Sequence, residues 1–339
     1  MAVQGLVRLR TNQVAKQSVI GTAVTATRRV PWRGAVVYNP NRTDPDVDVG
    51  SLDPIILPYM TAPEVTWNPT GPMIFNDLPI RLSAGLIGGI SPTGGGAAKT
   101  WTYTCASLTA DAFDYWTDEF ADDTEATDAI IAFGGVADSL SETLPEGLGP
   151  WEFSDNWFFA NATLGSNGTN SLVVDSSPVF AFGADTVITL DSLPGNIGVA
   201  PLVDAVHGAQ LTITNNLDRK RYANGSNNRF NLGGYGRGAR VIELVLTLAK
   251  TATTIAEAAT LDDTPTPNRY IKISTTSTEL AQAANPYKYE RFLPCRLFDR
   301  AEGEIGGNAT IVLTYRAFYD ATLTYAFKAV VVNQLTALP

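Results

Sequence analysis

The most constraining feature of this sequence is a strict alternation of side chains over residues 241–249, VIELVLTLA. One face of an extended strand would carry four aliphatic side chains, namely Ile242, Leu244, Leu246 and Leu248. The opposite face would carry Glu243 and Thr247. A period of two is typical of a half-buried β-strand and does not fit the 3.6-residue period of a helix. We therefore expect a strand here, with its aliphatic face in the core.

The glycines before this strand raise the question of nucleotide binding. Gly234, Gly236 and Ala239 have the G-x-G-x-x-A spacing of the dinucleotide-binding fingerprint. That fingerprint needs a strand before the glycines and a helix after them, because the helix N-terminus holds the pyrophosphate. Here a polar loop precedes the glycines and a strand follows them. We interpret the glycines as a tight entry into the strand, and we expect no cofactor.

Similar patterns recur along the chain and predict a mainly β fold. Strand-like segments lie at 19–38, 99–109, 136–144, 151–160, 186–194, 209–217, 269–277, 309–320 and 324–332. Within 99–109, Trp101, Tyr103 and Cys105 share one face. Only two segments, 76–90 and 277–292, favour short helices. The length of 339 residues and a shift to Gly, Asn and Ser at 165–175 predict two domains, 1–165 and 166–339.

Residues 39–79 are the most unusual segment. Prolines at 40, 45, 54, 58, 63, 69, 72 and 79 exclude a helix of ordinary length. A long excursion with little regular structure is usually stabilised by packing on another subunit. We interpret it as a projecting arm, with these candidate inter-subunit contacts: Asp48, Leu52, Ile55, Ile56, Leu57 and Tyr59.

Charge and composition argue against several function classes. The chain has 34 acidic and 24 basic residues, a net charge of −10, so it should repel polyphosphates. Cys105 and Cys295 are expected to be buried thiols, and the single histidine, His207, leaves little material for a zinc site or a catalytic triad. Neither a secretory leader nor an 18-residue apolar run is apparent, so we expect a soluble protein. No Ser/His/Asp arrangement, paired carboxylates or phosphate-binding loop is recognisable, so we expect that it is not an enzyme.

Three charged segments are candidate binding sites. Residues 44–50, DPDVDVG, resemble the start of a calcium loop, but the glycine is displaced and position twelve is Ile55, so a solvated loop is favoured. The acidic run at 118–128 lacks fixed ligand spacing and is interpreted as a charged edge. Arg219, Lys220 and Arg221 form the densest basic cluster, which is either a hairpin tip or a contact with a partner. We expect no metal site.

Two non-enzymatic classes fit these observations. One is a self-assembling structural protein, which the proline-rich arm favours. The other is a β-sandwich binding or adhesion module for a carbohydrate or a protein ligand, which should display an exposed aromatic platform.

Five stretches covering much of the chain resemble the tail tube, or major tail, proteins of long-tailed siphophages. They are residues 20–34, 48–79, 85–104, 136–154 and 300–335, among them IGTAVTATRRVPWRG and VADSLSETLPEGLGPWEFS. The chain length is similar to that of fused members with two tube domains in tandem. Another phage structural role, such as capsid decoration, is the alternative within this class.

The resemblance implies two tandem β-sandwich domains, each with a short flanking helix, and a long projecting loop. In that family six domain copies form a ring, so three chains would make a pseudo-sixfold ring, and rings stack into a hollow tube. Its partners would be further copies of itself and the tape measure, tail terminator and tail tip proteins. The protein would be assembled in the host cytoplasm and belong to the virion. A loose echo between residues 136–141 and 206–212 fits a duplication.

An acidic chain suits a lumen through which DNA passes without binding, because adhesion grows with every neutralised phosphate. The alternating strands at 136–144 and 241–249 offer Asp138, Glu142 and Glu243 as candidate lumen-facing residues. The alternative is that these three carboxylates face the outer solvent.

Overall fold

The computed structural model describes residues 10–43, 59–105, 112–121, 129–147, 149–165, 172–221 and 234–339. It is mainly β with two short helices, as predicted. The strands of the first half are β1 (Thr11–Gln17), β2 (Arg28–Val30), β3 (Val36–Asn39), β4 (Arg42–Thr43), β5 (Tyr59–Met60), β6 (Glu64–Trp67), β7 (Thr70–Pro72), β8 (Lys99–Thr104), β9 (Tyr115–Ala121), β10 (Ala129–Leu144), β11 (Glu152–Ser154), β12 (Asn156–Phe158) and β13 (Asn161–Gly165). Those of the second half are β14 (Thr186–Asp191), β15 (Val206–Thr214), β16 (Leu217–Lys220), β17 (Gly234–Arg237), β18 (Val241–Ala249), β19 (Asn268–Gln282), β20 (Asn285–Ile305), β21 (Asn308–Ala317) and β22 (Lys328–Asn333).

An antiparallel sheet of eight strands runs through both halves of the chain. Its order is β3–β6–β12–β10–β15–β18–β21–β20. Four of its strands come from residues before 166 and four from residues after, and the two sets meet where Leu140 pairs with Ile213. The halves are therefore joined by backbone hydrogen bonds.

Two further sheets branch from this one. The long strand β20 also belongs to a sheet of order β14–β19–β20–β22–β8. The long strand β10 also belongs to a sheet of order β2–β1–β9–β10–β13. β10 bends between its two sheets at Gly134, whose φ of +70° suits glycine and whose added Cβ would lie 2.6 Å from Ala160 Cβ.

One large hydrophobic core includes buried residues of both halves, from Val14 to Val331. The part of this core that comes from residues before 166 is rich in aromatic rings. Trp32 is stacked on Trp67 at 5.5 Å between ring centroids, and Trp157 lies close to both. This continuity differs from the expected division into two sandwiches, 1–165 and 166–339, each with a core of its own. The reason is that β10 pairs with β15, and β8 with β22, across the expected boundary.

The two helices of the described residues lie one in each half. α1 (Leu78–Gly85) falls inside the predicted 76–90 segment, and all eight of its residues are buried. α2 (Ala252–Ala259) was not predicted, although Thr251 and Thr254 form a capping box at its start. The predicted helix at 277–292 is wrong, because that segment is the end of β19, a turn in which Ala284 has φ +66°, and the start of β20.

The strands with the strictest alternation bury the faces that were predicted to lie in the core. Ile242, Leu244, Leu246 and Leu248 are all buried, whereas Glu243 and Thr247 are partly exposed. Trp101, Tyr103 and Cys105 are buried together, and both cysteines are free thiols in the core. Gly234 and Gly236 lie in β17, which is followed by the strand β18 and not by the helix that a dinucleotide site requires.

A buried carboxyl in β9 sets up a pH-dependent stability. Asp118 is 1% exposed, lies between Val14 and Ala132 on the neighbouring strands, and has no hydrogen-bond partner of ordinary geometry among the described residues. Burial, and secondarily the charge of Glu119, raises the pKa of this carboxyl well above its usual range.

We expect Asp118→Asn to stabilise the protein increasingly as the pH rises. The folded pKa lies above the unfolded one, so the folded state keeps a proton that the unfolded state releases. The stability that the protonated Asp118 contributes is fully present below the unfolded pKa. It is lost as the pH rises towards the folded pKa, by up to about 1.4 kcal/mol per pH unit. Urea unfolding of both proteins at pH 5 and pH 8 measures this. An equal difference between them at both pH values contradicts a buried, titrating Asp118.

Candidate assembly surfaces

The outer face of the eight-stranded sheet carries mostly small and hydroxyl-bearing side chains. On the four adjacent strands β10, β15, β18 and β21 this hydroxyl face consists of Ser139, Ser141, Thr143, Gln210, Thr212, Thr214, Val241, Glu243, Val245, Thr247, Val312, Thr314 and Arg316. None of these residues is buried. They form cross-strand rows, such as Thr143, Gln210, Val245 and Thr314. The only two charged members, Glu243 and Arg316, pair with each other at 2.6 Å.

Both edges of this sheet lack a partner strand within the described residues. β3 pairs only with β6, and Val37 on it is 57% exposed. At the other end, residues 298–305 of β20 pair only with β21, and residues 298–304 are all exposed. Unpaired sheet edges are templates for pairing with another chain, and monomeric proteins usually protect them.

The structure places the three candidate acidic residues in different environments. Glu243 lies on the hydroxyl face, half-exposed. Asp138 lies beside the β15–β16 turn, where its Oδ1 accepts a hydrogen bond from the backbone N–H of Leu217 at 2.7 Å. Glu142 is 3% exposed and points into the core, so the expectation that it lines a lumen is wrong. Its position already indicated this, because Glu142 shares the parity of Leu140 and Leu144, the buried residues of the strand.

Glu142 belongs to a buried ionic cluster that the sequence did not reveal. It accepts hydrogen bonds from Arg291 Nε at 2.7 Å and from the Tyr289 hydroxyl at 2.8 Å. Arg81 of α1 lies 3.6 Å from Glu142 and donates two hydrogen bonds, each 2.7 Å long, to Asp155. We call these five residues the ionic cluster.

The cluster is balanced in charge and enclosed by aromatic rings. Two arginines face two carboxylates, and the guanidinium groups of Arg81 and Arg291 lie over Phe153 and Trp151, each 4.3 Å from the ring centroid. Burial opposes the charge on Arg81, but Asp155 and then Glu142 outweigh it and hold the pKa of Arg81 above its ordinary value. Burial also raises the pKa of Tyr289, which keeps its hydroxyl protonated as a donor to Glu142.

The basic cluster lies at the end of β16, which pairs with β17, and it contacts its own chain. Arg219 lies 3.4 Å from Glu64 and over the ring of Phe158, at 4.9 Å from its centroid. Arg221 donates a hydrogen bond to the carbonyl of Pro63, and Lys220 pairs with Asp218. Residues 222–233 lie outside the described residues, so the hairpin tip and the contact with a partner both stay predictions.

Of the predicted arm at 39–79, residues 44–58 lie outside the described residues, and with them Asp48, Leu52, Ile55, Ile56 and Leu57 and the acidic loop at 44–50. Residues 63–79 do not form a projecting arm, because β6 and β7 pair with strands of the sheets and Val65, Trp67 and Phe75 are buried in the core. Tyr59 is the first residue of β5, which pairs with β4 through Thr43. The chain therefore leaves and re-enters the described structure at one point.

Other surfaces of the described residues offer grooves. One of them lies beside β14 and has a volume of about 690 Å³, and its lining includes Val187, Leu202, Val203 and His207. Within the described ranges, no three His, Cys, Asp or Glu side chains come together as a metal site. No helix in the described part of the chain is both long and apolar enough to cross a membrane. No protein-family model and no curated protein matches this sequence.

Glu142 and Glu243 each contact an arginine at almost the same distance, but only Glu142 is buried. Comparing their substitutions therefore tests the burial of the ionic cluster. Glu142→Gln leaves Arg291 buried without its counter-charge, so we expect a loss of about 3 kcal/mol in the free energy of unfolding. Glu243→Gln removes a half-exposed pair with Arg316, so we expect a loss of at most about 1 kcal/mol. Denaturant unfolding of both variants measures the difference. Equal losses would show that Glu142 is solvated in solution.

Proposed function

We propose that this protein is the structural subunit of a tube of the siphophage tail type, in which copies assemble into rings and the rings stack. The observation that carries the proposal is the eight-stranded sheet, with its uncovered hydroxyl face and two unpaired edges. Such edges are satisfied when sheets of neighbouring copies join, and a closed ring leaves none exposed.

The division of the sheet supports the fused, two-unit form of such a subunit. Each half of the chain supplies four strands to the sheet and contains one short helix. Three chains would then present six four-strand units, which is the pseudo-sixfold ring that the sequence resemblance implies. The order of elements after each helix is also similar, since α1 precedes β8, β9 and β10 and α2 precedes β19, β20 and β21.

The hydroxyl face suits a lumen that DNA crosses without binding. On the four strands that define it, its one arginine is paired with Glu243 and none of its residues is a lysine. Arg296 of β20, which lies opposite Arg316 at the border of this face, donates a hydrogen bond to Asn268. DNA binding depends on neutralising phosphates with Lys or Arg and releasing their counterions. A smooth surface of short side chains without that charge minimises adhesion. The tape measure, tail terminator and tail tip proteins are proposed partners, and the virion is the proposed location.

Assembly is the first test of this proposal. Purified protein, examined by sedimentation and negative-stain microscopy over a range of concentrations, should form rings or tubes of constant inner diameter. Persistent monomer at high concentration, without assembly after tail partners are added, would overturn the proposal. Saturable binding of a glycan by that monomer would instead identify a binding module.

Cysteine labelling tests which face lines the lumen. Both native cysteines are buried, so a single introduced thiol gives the signal. In assembled tubes, Thr247→Cys on the hydroxyl face should react with a small maleimide but only slowly with a polymer-linked maleimide that is too large to enter. Thr253→Cys, exposed on α2 and outside both the hydroxyl face and the outer face of the β14–β19–β20–β22–β8 sheet, is the matched control and should react with both reagents. Protection of Thr247→Cys from the small reagent as well would identify the hydroxyl face as a subunit contact.

A further inference from the structure

A strip of lysines crosses the outer face of the β14–β19–β20–β22–β8 sheet. Lys272, Phe292 and Lys328 are directly opposed on three adjacent strands, and the two Nζ atoms lie 5.2 and 5.4 Å from the ring centroid of Phe292. Lys288 lies on the same face, four residues before Phe292. This patch is unlike the hydroxyl face, which contains no lysine.

The patch keeps a positive surplus after its internal pairing. Lys272 and Lys288 share one carboxylate, Glu290, at 2.8 and 3.2 Å. Lys328 has no carboxylate partner among the described residues. Val330 and Val332 are half-exposed beside Phe292, so an apolar centre is bordered by ammonium groups. We call Lys272, Lys288, Phe292, Lys328, Val330 and Val332 the lysine face.

The chemistry of this face requires a partner that is both acidic and aliphatic. The chain itself has a net charge of −10, so a second copy supplies acidic surface. Residues 44–58 contain four aspartates and no basic residue, together with Leu52, Ile55, Ile56 and Leu57. Residues 122–128 contain four acidic residues but no large apolar one, so they match the charge of the face without matching its centre.

The reach of residues 44–58 also suits contact with a neighbouring copy. The segment has 15 residues, and its ends are held together by the pairing of β4 with β5. Seven residues outward and seven back span at most about 25 Å beyond that pairing. Residues 122–128 reach only about half as far by the same measure.

We infer that residues 44–58 of one copy dock on the lysine face of a neighbouring copy, with aspartates against Lys272, Lys288 and Lys328 and aliphatic side chains over Phe292, Val330 and Val332. This inference rests on the proposed assembly and names the two surfaces that meet in it. It places the lysine face at a subunit contact and the hydroxyl face elsewhere in the assembly.

Peptide binding tests the contact without requiring a tube. A fluorescent peptide of residues 43–59 should bind the full chain, and Lys272→Glu/Lys328→Glu should weaken that binding at least about tenfold at low salt. A peptide of residues 121–129, with the same number of carboxylates in residues 122–128, is the control and should bind more weakly. Equal binding to the wild type and the variant, or equally tight binding of the control peptide, overturns the inference. Unfolding curves verify that the variant is folded.

Charge exchange tests the contact within the assembly. Asp46→Lys/Asp48→Lys and Lys272→Glu/Lys328→Glu should each prevent assembly alone. The chain carrying all four substitutions should assemble by itself, because each reversed surface then meets its complement, and its failure to assemble would overturn the inference. An equal mixture of the two double variants shows where the contact lies. Two kinds of chain cannot alternate around a closed ring of three, so assembly of the mixture indicates a contact between stacked rings, and assembly of the fourfold variant alone indicates a contact within the ring. Docking of the segment on its own chain is tested by the peptide, which would then find the lysine face occupied and fail to bind the wild type.

The two proposals fail in distinguishable ways. If the wild type never assembles, the proposed function is wrong, and peptide binding still tests the docking inference. If the wild type forms tubes that both pairs of charge reversals leave intact, the proposed function stands and the docking inference is wrong.

Discussion

The buried pairing of Glu142 with Arg291 is the interaction on which the rest of this architecture depends. Glu142 lies on β10 in the first half of the chain and Arg291 on β20 in the second, and the two meet in the core. A buried charge without its partner costs several kcal/mol, so each half needs the other to satisfy its own ionised side chain. The pair also fixes which face of each long strand is turned to the core, because a shift by one residue of either strand within its own sheet would turn its side chain towards the solvent.

The wider ionic cluster extends this constraint to the helix and the shorter strands. Arg81 brings α1 against β10, and its hydrogen bonds to Asp155 fix the turn between β11 and β12. The rings of Phe153 and Trp151 cover the guanidinium groups, so the cluster forms part of the packed core and encloses no polar cavity. Because the contacts that stabilise the fold lie in the interior, the outer faces of the sheets can differ in chemistry.

The two outer faces are consequently opposite in character. The hydroxyl face presents mostly short side chains and one ion pair, that of Glu243 with Arg316, whereas the outer face of the sheet that shares β20 presents lysines around Phe292. One strand thus links a surface suited to avoiding phosphates with a surface suited to holding carboxylates. In an assembly built from one kind of chain, such a difference allows lumen and contact surfaces to be distinct.

Local patterns in the sequence were sufficient where a strand buries one face. The alternation of Ile242 to Leu248 and of Trp101 to Cys105 predicted which side chains lie in the core, because parity along a strand is a local property. The parity of Glu142 matches that of the buried Leu140 and Leu144, but the prediction followed its charge, placed it on an exposed face and was wrong. The segment 277–292 shows the limit of this approach, since its alanines favour a helix while pairing with β22 and within the β19–β20 hairpin makes it strand.

The sequence by itself thus determined the mainly β class, the parity of the strongest strands, the acidic character of the chain and the absence of a dinucleotide fingerprint in its proper context. Only the tertiary structure decided that the halves share one sheet and one core, that Arg81 and Arg291 are enclosed with Glu142 and Asp155, and that the lysines gather on one face. The physical reason is that strand pairing and ion pairing join residues far apart in the sequence, such as Thr104 with Lys328 and Glu142 with Arg291. No local pattern records which distant partner a strand or a buried charge will find.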